Sequence, residues 1–142
     1  MPELHPAVLM FIAVRHVETR VIDGVREAGH DMTLAQARLA ARIGEHGTRL
    51  TDLAEQAQVT KQSAGFLVDQ LEGAGYVERV PDPADARARL VRFTDKGREV
   101  VAAARKVERQ VLREWQRHLG PERFAALRDA LTALREITDP YA

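Results

Sequence analysis

The chain has 142 residues, 45% of them hydrophobic and 30% charged, with 21 basic and 21 acidic side chains and no cysteine. That is one domain's worth of ordinary globular composition, and it excludes disulfides, thiolate metal sites and cysteine redox chemistry. Zero net charge argues against a protein that coats nucleic acid along its whole surface.

The charge is unevenly placed. Residues 1–59 hold six basic and eight acidic side chains, whereas 79–98 hold six basic (Arg79, Arg87, Arg89, Arg92, Lys96, Arg98) and three acidic ones. A positive tip on a neutral body suits groove binding, since only the contact surface has to displace counterions. The longest apolar run, Ala7–Val14, is too short to cross a bilayer, and the start has no basic signal-type region, so a cytoplasmic location is expected.

In chain order, Pro2–Gly29 is expected to form a first helix, with Leu4, Ala7, Phe11, Val14, Val17, Val21 and Val25 on one stripe. Thr33 caps a second helix reaching about Gly44. Glu45–Arg49 reads as a turn, and Leu50 is placed to add a very short strand to a later hairpin. Thr51 is the expected N-cap of a third helix, Asp52–Ala57, and Thr60 that of a fourth, from Lys61 to about Ala74. Small Ala54 and Ala64 suit a close crossing of these two helices, with Val59 plugging the gap between them.

Two β-type runs follow, Tyr76–Val80 and Leu90–Thr94, around a loop holding two prolines and two arginines. Thr94 caps a long fifth helix from Asp95 to about His118. Gly120-Pro121 stops it and restarts a sixth, about Glu122–Ile137, with Phe124, Leu127, Leu131, Leu134 and Ile137 in step. The expected class is mainly α with a small β-hairpin wing: a winged helix-turn-helix with N- and C-terminal dimerisation helices. The chain divides as one domain, 1–142, with 33–94 as the DNA-binding region and 1–30 and 95–142 as the helical dimerisation region. Terminal helices with apolar stripes and little to pack against are best buried between two copies.

The tract from Thr51 to Arg79, with Val59-Thr60-Lys61-Gln62-Ser63 and Leu67-Val68-Asp69-Gln70-Leu71-Glu72-Gly73-Ala74-Gly75-Tyr76-Val77, resembles the MarR (multiple antibiotic resistance regulator) family. So does Asp82-Pro83-Ala84-Asp85-Ala86-Arg87-Ala88-Arg89-Leu90-Val91-Arg92-Phe93-Thr94-Asp95-Lys96-Gly97, the more specific of the two. The resemblance runs over almost the whole chain. It implies a homodimeric transcription regulator, usually a repressor, often released from its operator by a small aromatic or phenolic ligand. Two positions depart from the pattern. Phe66 stands mid-recognition helix where many members carry a polar or basic residue, and Gln58 stands in the turn where glycine is common.

On this reading Thr60, Lys61, Gln62, Ser63 and Gly65 meet the major groove at the start of the fourth helix, and Gln62 is suited to a bidentate pair with adenine. Arg87 and Arg89, at period 2, lie on one side of a strand or together at the loop tip, and their guanidinium groups fit a narrow minor groove. Arg92 either grips phosphate or is a solvated strand residue, and Asp85 braces an arginine. The family pocket, between the first two helices and the fifth, makes Arg15, His16, Arg38 and Trp115 the candidates for lining it, with Arg15 or Arg38 holding a carboxylate.

The five histidines (His5, His16, His30, His46, His118) lack metal-ligand spacing, so no metal or other cofactor is expected. No catalytic constellation is present, and an enzyme is not expected. The alternative to DNA binding is a winged-helix docking module, which an exposed Phe66 would favour.

Overall fold

The computed structural model describes residues 2–141; Met1 and Ala142, the two ends of the expected single domain, lie outside them. The elements are α1 (Pro6–Glu27), α2 (Leu34–Ala40), β1 (Thr48–Arg49), α3 (Leu50–Ala57), α4 (Lys61–Gly73), β2 (Val77–Asp82), β3 (Asp85–Phe93), α5 (Asp95–Leu119) and α6 (Pro121–Thr138).

Local chemistry sets most of the helix starts. Prolines open α1 and α6, and the His5 ring accepts the Ala7 amide at 3.2 Å. Thr33 and Gln36 form a reciprocal capping box on α2. Thr60 and Thr94 cap α4 and α5 by accepting the Ser63 and Gly97 amides at 3.0 and 3.1 Å. A cap of this kind stabilises a helix by roughly 1 kcal/mol.

Three expectations fail here. Thr51 does not cap α3: the extended residue before that helix is Arg49, with no side-chain cap, because pairing of Thr48 and Arg49 with β3 brings the chain into the helix at Leu50. The short strand therefore lies just before Leu50 and not at it. Helix α2 also stops at Ala40, four residues short of the expected Gly44.

Three helices end by one device, in which an amide reaches back five residues over a left-handed residue. Gly29 and Gly75 take that conformation after α1 and α4, with His30 and Tyr76 amides bonded to the Val25 and Leu71 carbonyls at 3.1 and 2.9 Å. After α3 the residue is Gln58, at φ 57° and ψ 44°, and the Val59 amide bonds the Ala54 carbonyl at 3.0 Å. The non-glycine residue noted in this turn thus takes a positive φ, at a cost of about 1–2 kcal/mol. Val59 is 38% exposed and does not plug the α3–α4 gap; buried Ala54 and Ala64 close it by themselves.

The sheet is antiparallel, ordered β1-β3-β2, with Thr48 opposite Val91, Arg79 opposite Val91 and Pro81 opposite Arg89. One core runs from Leu39, Leu53, Ala64, Val68 and Leu71 to Val77 and Val91, and on to Val25 and Val100. Helix α5 leaves the wing without a linker. Its cap Thr94 donates its amide to the Tyr76 carbonyl and its hydroxyl to the Gly75 carbonyl, at 3.1 and 2.6 Å.

Helices α1 and α5 cross where Gly24 faces Val107, so closely that a Cβ at Gly24 would stand 2.3 Å from a Val107 methyl. Arg20 and Glu114 form a bidentate ion pair beside that crossing, at 2.6 and 3.1 Å. The expected stripe on α1 is split. Val21 and Val25 join the core, but Leu4, Phe11 and Val14 are exposed, and α6 buries no residue. Among the described residues of a single chain nothing covers these side chains. No helix among the described residues is long and apolar enough to cross a membrane.

Candidate nucleic-acid interface

Helix α4 turns Ala64, Val68 and Leu71 into the core, which points the opposite face, Gln62 and Phe66, outward. Lys61, Gln62 and Ser63 are all exposed at its first turn. The Thr60 hydroxyl is engaged within the chain: its oxygen accepts the Ser63 amide and its proton goes to Ser63 Oγ at 2.9 Å. It caps α4. Gly65 meets only Leu50, whose methyl would stand 3.8 Å from an added Cβ. Internal packing therefore does not require glycine there, although a helix-interior glycine costs roughly 0.5–1 kcal/mol relative to alanine.

The wing is longer than expected. Strands run to Asp82 and from Asp85, so only Pro83 and Ala84 form the tip. Arg87 and Arg89 therefore lie within β3 rather than on a loop, and both are exposed.

Ion pairs sort the basic residues sharply. Arg49 binds Asp82 at 2.7 Å, Arg79 binds Asp69 and Glu72 at 2.7 and 2.8 Å, Arg92 binds Glu78 at 2.7 Å, and Arg98 pairs with Asp95. Lys61, Arg87 and Arg89 have no ion-pair partner among the described residues; nor do Arg42, after α2, and Lys96, whose ammonium donates to the Ala74 carbonyl. Arg92 is thus a cross-strand partner of Glu78, its register neighbour, and not a free phosphate grip. Unneutralised charge remains at the start of α4 and along the wing.

The brace was expected at Asp85, but Asp85 touches no guanidinium; its Oδ1 accepts the Arg87 amide at 3.0 Å and sets the backbone of the turn. Asp82 holds the arginine. It is almost buried, accepts the Ala84 amide at 2.9 Å, and grips Arg49 from 33 residues upstream. The Ala84 amide first, and the Arg49 guanidinium second, hold the Asp82 carboxyl below its ordinary range. A carboxyl whose folded pKa is depressed contributes stability above its unfolded pKa and loses it as pH falls. Protection of the Ala84 amide from hydrogen exchange should therefore drop as pH falls below about 4. In Asp82→Asn it should be low throughout. Equal protection in both proteins at every pH would remove Asp82 from this role.

The ligand candidates scatter. A cavity of about 430 Å³ lies between α1, α2 and α5 as expected, yet none of the four named residues lines it. Its wall includes Ile22, Ala37, Ala41, Tyr76, Phe93, Val101 and Ala104, with Arg105 and Glu108 as its only charged members. Arg15 and Arg38 line a second hollow of about 570 Å³ beside α1. There Arg38 is tied to Glu18 at 2.7 Å, which keeps the Glu18 carboxyl below its usual range. His16 and Trp115 lie against each other, ring centroids 6.0 Å apart. The missed signal was side-chain size: small residues on α2 and in Val100–Ala104 leave volume between the helices. Among the described residues no group of three or more His, Asp or Glu could hold a metal ion.

Comparison with known proteins places this geometry. The MarR family model matches residues 30–88. A regulator of Mycobacterium leprae, ML2140, described as an uncharacterized HTH-type transcriptional regulator, is 32% identical over 140 residues, covering 84% of this chain and 98% of that protein. The crystal structure of RV1404 from Mycobacterium tuberculosis superposes with a TM-score of 0.73 at 26% identity, covering 98% of each chain. The HTH-type transcriptional regulator BilQ of Clostridioides difficile is 32% identical over 73 residues, or 51% of this chain. The chain spans 47% of BilQ, and 66% and 52% of two further curated regulators that it matches.

Proposed function

This chain belongs to the MarR family of transcription regulators, and we propose that it acts as a homodimeric repressor that reads a pseudo-palindromic duplex in the cytoplasm. The observation that carries the reading is the sorting of charge. Arg38, Arg49, Arg79 and Arg92 of the winged region are held by acids. Of its basic side chains without an acidic partner among the described residues, Lys61, Arg87 and Arg89 stand at the two places that face DNA in a winged helix, and Arg42 lies elsewhere. Lys61, Gln62 and Ser63 meet base edges and phosphate in the major groove, and the Arg87–Arg89 strand enters the adjacent minor groove.

The partner for the dimer is a second copy. Leu4 just before α1, Val8 and Phe11 on it, and Leu131, Leu134 and Ile137 of α6 are all more than 40% exposed in the single chain, and a two-fold interface would cover both sets at once. Two recognition helices then sit about 34–36 Å apart, one turn of the duplex. The apolar cavity between α1, α2 and α5 suits a small aromatic effector, with Arg105 available to a carboxylate or phenolate. Such a ligand releases DNA if it binds better to a dimer with the wrong helix spacing.

Fluorescence polarisation with duplexes from upstream of the protein's own gene tests the reading. Wild-type binding should weaken linearly in log–log terms as salt rises. The double variant Arg87→Ala, Arg89→Ala should lose about tenfold or more in affinity, since each hydrogen bond to a charged group contributes roughly 1.5–3 kcal/mol, and should remain a dimer. Undiminished affinity in that variant removes the wing from the interface. Phe66, exposed on α4, is the one observation that favours a docking module; that reading requires wild-type protein with no duplex binding at low salt.

A further inference from the structure

Phe66 is 63% exposed. Between residues 33 and 94 the other exposed large apolar side chains are Leu34 and Val59, each at 38%. The remaining ones lie just before α1, on α1, α5 and α6, and in the C-terminal tail. A single exposed aromatic is ordinary on a protein surface, so its position has to carry the argument.

That position is specific. Phe66 follows Gln62 by four residues, which puts both on the face directly opposite Ala64, Val68 and Leu71. Side chains on a helix lean toward its N-terminus, so the ring covers the turn that carries Gln62 rather than the C-terminal half. The next residue on this face, Asp69, is tied to Arg79 at 2.7 Å, and its carboxylate is neutralised where it would otherwise repel the duplex. Gly65 beside it is half-buried and carries no side chain that could crowd the ring. Whatever Gln62 touches, Phe66 reaches a base within two steps of it: four residues of helix rise about 6 Å, and successive bases on a strand are about 3.4 Å apart.

A phenyl ring neither donates nor accepts a hydrogen bond, so it cannot read the acceptors of guanine and adenine or the amino group of cytosine. Only one base displays an apolar group on its major-groove edge, the C5-methyl of thymine. Resting on the DNA-reading function proposed above, we infer that Phe66 is a specificity-determining residue that seats against a thymine methyl within two base steps of the base read by Gln62. The recognition helix then selects by one polar and one apolar contact.

The probe is the duplex that wild-type protein itself enriches from a random-sequence pool, prepared with thymine or with deoxyuridine, which lacks only the methyl. Burial of one methyl group corresponds to roughly fourfold in affinity, so a two-fold site should lose about 15-fold when both half-sites are substituted. Deoxyuridine at one thymine per half-site should weaken wild-type binding by that factor and leave Phe66→Ala unaffected. The variant should melt with wild type, since the ring is outside the core. The inference is overturned if no uracil substitution weakens wild-type binding, or if Phe66→Ala loses as much as wild type. A pool that yields no enriched duplex overturns the DNA-reading function itself, and this inference with it, before any methyl is removed.

Discussion

Gly97→Val should lower the melting temperature by roughly 10 °C, an effect of about 3 kcal/mol at the seam between wing and fifth helix. Gly97 is buried at the third position of α5, and a Cβ there would stand 2.0 Å from the Tyr76 carbonyl oxygen and 2.9 Å from the Phe93 ring. That oxygen cannot move away freely, because it already accepts the Thr94 amide at 3.1 Å. Tyr76 is itself fixed, with Lys96 over its ring at 4.6 Å and His30 at its hydroxyl. Valine gains only a few tenths of a kcal/mol in helix propensity over glycine, so the clash decides the sign. Gly73 is the control. An added Cβ there meets nothing within 4 Å, so Gly73→Ala should hold or raise the melting temperature. Thermal unfolding followed by circular dichroism measures both. An unchanged midpoint for Gly97→Val would mean that the seam is slack.

Leu131→Asp should convert a dimer to monomers with little change in helix content. The side chain is 53% exposed in the single chain, on a helix that buries nothing of its own, so a carboxylate there barely disturbs the isolated fold. In a two-fold interface each copy would bring one charge out of water, raising the dimer dissociation constant by about a hundredfold or more. Light scattering at micromolar concentration reads the mass directly. DNA affinity should fall in parallel, because two linked half-sites become independent. A variant that stays dimeric with its helix content intact would place the interface elsewhere.

What was legible from the residues alone depended on range. The caps at Thr33, Thr60 and Thr94 and the prolines that open α1 and α6 act over three or four residues, and their helices start within a few residues of the expected place. The left-handed Gln58 follows from the need to turn sharply between two helices. Strand lengths were less legible, because pairing across the wing, not local preference, extends β3 back to Asp85 and moves Arg87 and Arg89 from loop to strand. The brace went to the wrong carboxylate for the same reason. Asp85 is near the arginines in sequence, but Asp82 is near Arg49 in space. Arg92 and Arg38 look like free cations until Glu78 and Glu18 are folded beside them. The cavity wall could not be named from polar candidates, since what makes a cavity is the absence of side-chain volume on facing helices. The closeness of α1 and α5 at Gly24 likewise gave no pattern of its own.

The absence of a linker between β3 and α5 has a mechanical consequence. Twenty-five residues of helix make a rod about 37 Å long, so a tilt of about 5° at one end swings the other by about 3 Å. With Thr94 bonded to Gly75 and Tyr76, the joint has no play in which that swing could be lost. The rod and the wing turn as one piece, and a sub-ångström wedge near the pivot is geared up into a displacement that a base pair can feel.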